Sequence, residues 1–414
     1  MTFFNTSLIS KSPLFLVAAM FSVSAIAADF KENQRLADQG NASAQYNLGV
    51  MYYKGDGVLQ DRSKATEWFK KAANQGHTKA QYNLDAIITN DTGVRQDKEK
   101  SFEWYKKAAN QGDVKSQLKL GTMFTEGTGV RQDYNEAVKW FEKAANQGSA
   151  DAQFILGYMN YYGNGVTQDY SKAHKWLEKA ANQGNASSQY LLGSSYHTGT
   201  GVRQDYTKAV EWYSKAANQG VAGSQFFLGT MYRDGKGVRR DYTKAAFWYQ
   251  KAVDQGHVDA HAYLGKMYYK GEGVRQDYAK AVELYSKAAS QGDSFAQYSL
   301  GMMYYEGEGV RQDYAKAVEL YSKAANQGDS FAQVLLGRMY YQGKGVRQDY
   351  AKAVEWYSKA ANQGDSSAQV LLGGLYYEGK GVRQNFAIAK EWFGKACDSG
   401  EQFGCDTYRK LNQS

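Results

Sequence analysis

Three sets of side chains in this sequence have types and spacings that could do chemistry. Ser116 and Lys119 form a Ser-x-x-Lys, which on a helix puts a hydroxyl one turn from an amine, as an acyl-transfer nucleophile requires. That chemistry also needs Ser-Asp-Asn and Lys-Thr-Gly partners, and neither tripeptide occurs. His257 and His261 stand four apart, a spacing that lets two imidazoles meet one metal ion. No third histidine or recurrent acid accompanies them as a zinc motif requires, and His257 falls in a turn; His77, His174 and His197 are scattered. Repeated Gly-x-Gly-Val loops suggest phosphate cradles, but none follows a strand and turn geometry explains every copy. No triad or carboxylate pair stands apart. The reading is a non-enzyme with no catalytic residue, metal or cofactor.

The elements that carry these residues are strictly periodic. Gly57, Gly93, Gly129, Gly165, Gly201, Gly237, Gly273, Gly309, Gly345 and Gly381 each precede a valine and lie 36 residues apart without interruption. Such a period marks a solenoid of supersecondary units. In one unit, Ala296, Leu300, Met303 and Tyr304 recur on one helical face, and Ala317, Leu320, Tyr321 and Ala324 on another. These are two amphipathic helices, here helix A and helix B. Gly307 and Gly309 suit the positive φ that ends helix A and turns the chain, Asp313 is placed to cap helix B, and Gly328 ends it. Ser116 then falls in the small core column of helix A. Trp68, Trp104, Trp140, Trp176, Trp212, Trp248, Trp356 and Trp392 share one helix B column with Leu284 and Leu320. Replacement by leucine there points to core packing, not to a ligand-stacking ladder.

Composition agrees. The 414 residues include a single proline, Pro13, and 43% are hydrophobic. The formal charge of +8 is spread along the chain with no basic block, so nucleic acid is not an implied partner. The N-terminus differs: Lys11, an apolar run from Leu14 to Val23, and Ala25-Ile26-Ala27 describe a signal peptide cleaved near Ala27, with a mature chain from about Ala28. The expected organisation is a signal peptide at 1–27, a capping helix at 28–40, ten repeats over 41–396 and a closing helix at 397–414. In repeat two, Asp85 and Asp91 replace glycines and Ile88-Thr89 replaces Tyr-Tyr, which predicts a softened joint or a repacked turn near 80–97.

Leu300-Gly301-x-x-Tyr304 and Ala317-x-x-x-Tyr321-x-x-Ala324 match the tetratricopeptide pattern, with the extra length in the Gly-x-Gly-Val loop. The combination resembles the Sel-one-like repeat family from residue 37 onward. The resemblance implies an all-α, right-handed α-solenoid of ten 36-residue helix-turn-helix repeats with terminal capping helices. Cys397-x7-Cys405 is similar to the linker of the secreted, cysteine-rich members, which implies a structural disulfide between Cys397 and Cys405. A tight turn between antiparallel helices would bring the two into bonding range, and an oxidising compartment would permit the bond. Some of those members have been described as β-lactamases, which is why the Ser116 spacing matters.

Function should reside where the repeats differ. The column after the helix A glycine holds Tyr158, Lys266, Met302 and Arg338, and one turn later stand Tyr269, Tyr305 and Tyr341. In tetratricopeptide-like stacks helix A lines the concave side, so these seven residues are expected to pave a partner-binding groove. The expectation is a periplasmic or secreted monomer that holds proteins or peptides, with no transmembrane anchor after cleavage. The alternatives are a β-lactam-binding or hydrolysing envelope protein and a glycan-binding one.

Overall fold

The computed structural model describes residues 29–89 and 95–413. The expected signal peptide and its cleavage site lie outside the described residues, as does the loop at 90–94 in repeat two. Among the described residues there are helices and turns but no strand. None of these helices is long and apolar enough to cross a membrane. The chain divides into two compact units, one ending at Ser188 and one beginning at Gln189.

The first unit opens with a helix at 29–38, whose Phe30, Leu36 and Ala37 pack on the core of repeat one. Repeat one then places helix A at Ala42–Lys54 and helix B at Arg62–Asn74. In repeat two helix B spans Arg95–Asn110, 16 residues where the other copies have 12 or 13. Its start lies ahead of the column that caps the other B helices, aspartate in all of them but the last, where it is Asn385.

The second unit shows the repeat at its most regular. Helix A of repeat eight, Ser294–Glu306, begins at Asp293, whose carboxylate accepts the Ala296 N–H at 2.6 Å. It ends at Gly307, whose φ of +80° lets its N–H reach the Met303 carbonyl at 2.8 Å. Helix B, Tyr314–Asn326, is capped by Asp313 through the Lys316 N–H at 2.9 Å. The two glycine types in the pair have separate jobs. A Cβ on Gly301 would lie 2.7 Å from the Tyr321 ring, which is 1% exposed, so glycine is what lets helices A and B of one repeat touch. A Cβ on Gly309 would lie 2.6 Å from the backbone carbonyl of Tyr278, the first residue of helix B in the preceding repeat. The second loop glycine is therefore a stacking residue between repeats.

The tryptophan column also sits at this seam. Trp140 is buried, while Trp212, Trp356 and Trp392 are only half-buried. Trp356 packs on the cluster that joins Tyr321 of the preceding repeat to Leu336 of its own. A lysine three residues on covers the outer ring face: Lys359 Nζ is 3.9 Å from the Trp356 ring and Lys143 Nζ 3.6 Å from that of Trp140. The column is thus inter-repeat packing under a cationic lid rather than a fully enclosed core. At the C-terminus, helix Gln402–Gln413 packs on helix B Phe386–Asp398, and Cys397 and Cys405 are bonded with Cα atoms 4.4 Å apart.

Candidate functional site

The helix A register distributes the seven residues expected to line a groove unevenly. Tyr158, in the first unit, is 40% exposed and its ring centroid lies 4.6 Å from that of Tyr162. In the second unit, Arg338 is exposed, and Lys266 and Met302 are half-exposed. Lys266 lies over the Phe295 ring at 5.6 Å. Lys266, Tyr269 and Met302 come together around a cavity of 200 Å³ between the A helices of repeats seven and eight. Tyr305, Tyr341 and Arg338 lie outside it.

Tyr269, Tyr305 and Tyr341 also take part in contacts between repeats. Each is half-buried at the end of helix A, with its ring 5.1 to 5.4 Å from the tyrosine that opens helix B of its own repeat: Tyr278, Tyr314 and Tyr350. Each hydroxyl meets the variable residue of the next repeat's Gly-x-Gly loop. Lys344 donates to Tyr305 at 2.9 Å and Lys380 to Tyr341 at 3.2 Å. Burial, together with a hydrogen bond to Glu308, pushes the Tyr269 phenol up to about 12. These tyrosines buttress successive repeats and present one edge to solvent.

The other candidate chemistries are occupied by structure. Ser116 is 0% exposed, with its hydroxyl 3.3 Å from that of Tyr82, so no substrate reaches it. His257 is the N-cap of helix A in repeat seven: its Nδ1 accepts the Ala260 N–H at 3.4 Å and its ring stacks on Phe226 at 4.8 Å. His77 does the same against Ala80 and Tyr46. His261 is buried, with Nδ1 2.9 Å from the His257 carbonyl oxygen. Among the described residues no three His, Cys, Asp or Glu side chains gather as metal ligands.

A buried glutamine ladder went unread in the sequence. Gln297 donates to the Ala289 carbonyl at the end of the preceding helix B and accepts from Gln327, which closes its own helix B, at 3.2 and 2.8 Å. The same pairs recur at Gln45 with Gln75, Gln117 with Gln147, Gln153 with Gln183, and Gln333 with Gln363. Each pair ties three helices together with satisfied amides, which is how a buried polar group is tolerated. The signal was present as two glutamine columns 30 residues apart. In repeat seven His261 takes the ladder position, and Gln291 bonds the Lys287 carbonyl in its own helix instead.

The Sel1 repeat model matches ten consecutive segments, beginning at 42–77 and ending at 366–401. Among solved structures, a protective antigen present in uropathogenic Escherichia coli strains, displaying an SLR fold, is 38% identical with a TM-score of 0.56, over 93% of this chain and 90% of that one. A Sel1 repeat protein from Oxalobacter formigenes is 36% identical with a TM-score of 0.58, over 79% of this chain and 93% of its own. No curated protein sequence matches. With its glycine-paired helices and uninterrupted 36-residue sequence repeat, the chain belongs to the Sel1 repeat family and is a tetratricopeptide-like α-solenoid.

Proposed function

We propose that this protein is an exported, non-catalytic scaffold that binds partner proteins or peptides along its helix A face. One observation carries the reading. The residues that seat helix A on helix B barely change between copies, whereas the column after the helix A glycine changes at nearly every repeat, with Tyr158, Lys266, Met302 and Arg338 all reaching solvent. A scaffold that repeats its packing and varies its surface reads a partner position by position. Tyrosine, arginine and methionine are the types that concentrate binding energy at interfaces. Likeness to a protective antigen over most of the chain supports a location outside the cytoplasm, and so does the Cys397–Cys405 pair. Burial of Ser116 counts against the hydrolase alternative.

The test is capture from envelope and medium with residues 28–414 as bait, beside a variant carrying Tyr158, Lys266, Met302 and Arg338 changed to Ala. A protein held by the wild type and lost by a variant of unchanged helicity supports the proposal. Equal capture by both removes the helix A face from it.

A further inference from the structure

Two cavities, one in each unit, stand at the same register of the repeat, six repeats apart. The first, of 380 Å³, lies between the A helices of repeats one and two, over the Phe69 ring. The second, of 200 Å³, lies between those of repeats seven and eight, over the Tyr285 ring. Phe69 and Tyr285 hold the same helix B position, the one that seats the helix A glycine. One column of the following helix A lines both openings. Down the chain it reads Asn83, Lys119, Ile155, Leu191, Phe227, Tyr263, Ser299, Leu335 and Leu371. A small polar residue stands there at the two cavities, at Asn83 and Ser299, and long or bulky side chains stand elsewhere. A second column coincides with the first. The last residue of helix A is lysine in two repeats, Lys54 and Lys270, and these are the two that border the cavities.

Each cup therefore has an aromatic floor and a cationic rim. The rim of the first carries Lys54 and Arg62, and that of the second Lys266 and Lys270. No described lining residue of either is a carboxylate. Acids stand just outside the second cup: Glu272, 3.9 Å from Lys270 in an exposed pair, Glu308 on the Tyr269 hydroxyl, and Glu306 near enough to act on the same phenol. Resting on the scaffold reading above, we infer that the two cups are equivalent subsites for an extended peptide carrying an apolar side chain, such as Phe or Leu, beside an acidic residue. The apolar group fills the cup over Phe69 or Tyr285, and the neighbouring carboxylate meets the rim cations.

Calorimetric titration of the mature protein with an N-acetylated, C-amidated Gly-Glu-Phe-Glu-Gly peptide tests this. The filling variants N83L and S299L install a residue that other repeats already carry at this position, so they keep the fold. Two sites are expected in the wild type, one in each single variant and none in the double variant. Gln in place of Glu in the peptide, or K54Q/K270Q in the protein, should weaken binding about 2- to 5-fold, as partly exposed ion pairs do. Ala in place of Phe should weaken it by about tenfold or more, the value of burying such a ring. Binding unchanged by N83L/S299L, equal binding of the Gln peptide, or no binding to the wild type overturns the proposal. Tyr158 and Arg338 lie outside both cups, so capture by a Y158A/R338A variant decides the scaffold reading separately.

Discussion

Replacing Gly307 and Gly309 by alanine, one at a time, separates two roles within a single loop. Both have left-handed backbone, φ +80° and +71°, so either alanine incurs about 1–2 kcal/mol from the Cβ against the following carbonyl. Their surroundings differ. The nearest atom to a Cβ at 307 is the Gln312 Cβ at 3.2 Å, a tight contact within the same loop that falls short of overlap. At 309 the neighbours are the carbonyl carbon and oxygen of Tyr278 at 2.6 Å, backbone held inside the preceding helix B. Forcing a methyl into such a contact adds about 1–3 kcal/mol. G307A should therefore lose about 1–2 kcal/mol and G309A about 2–5 kcal/mol. The G309A loss should be concentrated at the seam between repeats seven and eight. Urea denaturation followed by tyrosine fluorescence gives the totals, and amide exchange locates the opening. Equal losses in the two variants, or opening confined to repeat eight in both, would refute the assignment of the second glycine to stacking.

The histidine caps make stability depend on pH. Burial holds His77 and His257 below the usual imidazole value, so both are neutral in the fold when the unfolded chain begins to protonate. Their contribution is complete above about pH 6.5 and is lost as pH falls below it, because a protonated Nδ1 no longer accepts the cap N–H. The melting temperature should drop between pH 7 and pH 5, and H77D/H257D, which copies the Asp113 and Asp293 caps, should reduce that drop. Replacing His261 by Gln should rebuild the missing rung to Gln291 and raise stability by about 0.5–1.5 kcal/mol in urea titrations. Reducing the Cys397–Cys405 bond should speed amide exchange in helix Gln402–Gln413 and leave repeats one to eight unchanged, because stacked repeats contact only their neighbours.

The sequence by itself determined the repeat, its two helices and the places of their caps. Those features rest on local chemistry: a 3.6-residue apolar period, an aspartate that accepts an N–H three residues on, and a glycine free to take positive φ. Ten copies in one register left no competing reading, and the family model agrees. Side-chain roles across repeats were another matter. Tyr305 stands in sequence as an exposed aromatic, but Lys344, 39 residues on, folds over it. Gln297 stands as a polar residue in a variable background, yet it is buried and bonded at both ends. Only the folded structure decided these: Tyr305 meets a residue of the next repeat, and Gln297 bridges the end of the preceding helix B to the end of its own, contacts that a helical period does not show. The cups belong to the same class. Asn83 and Ser299 are unremarked substitutions in their own helices, and they line a cup only where they stand beside the preceding repeat's aromatic ring.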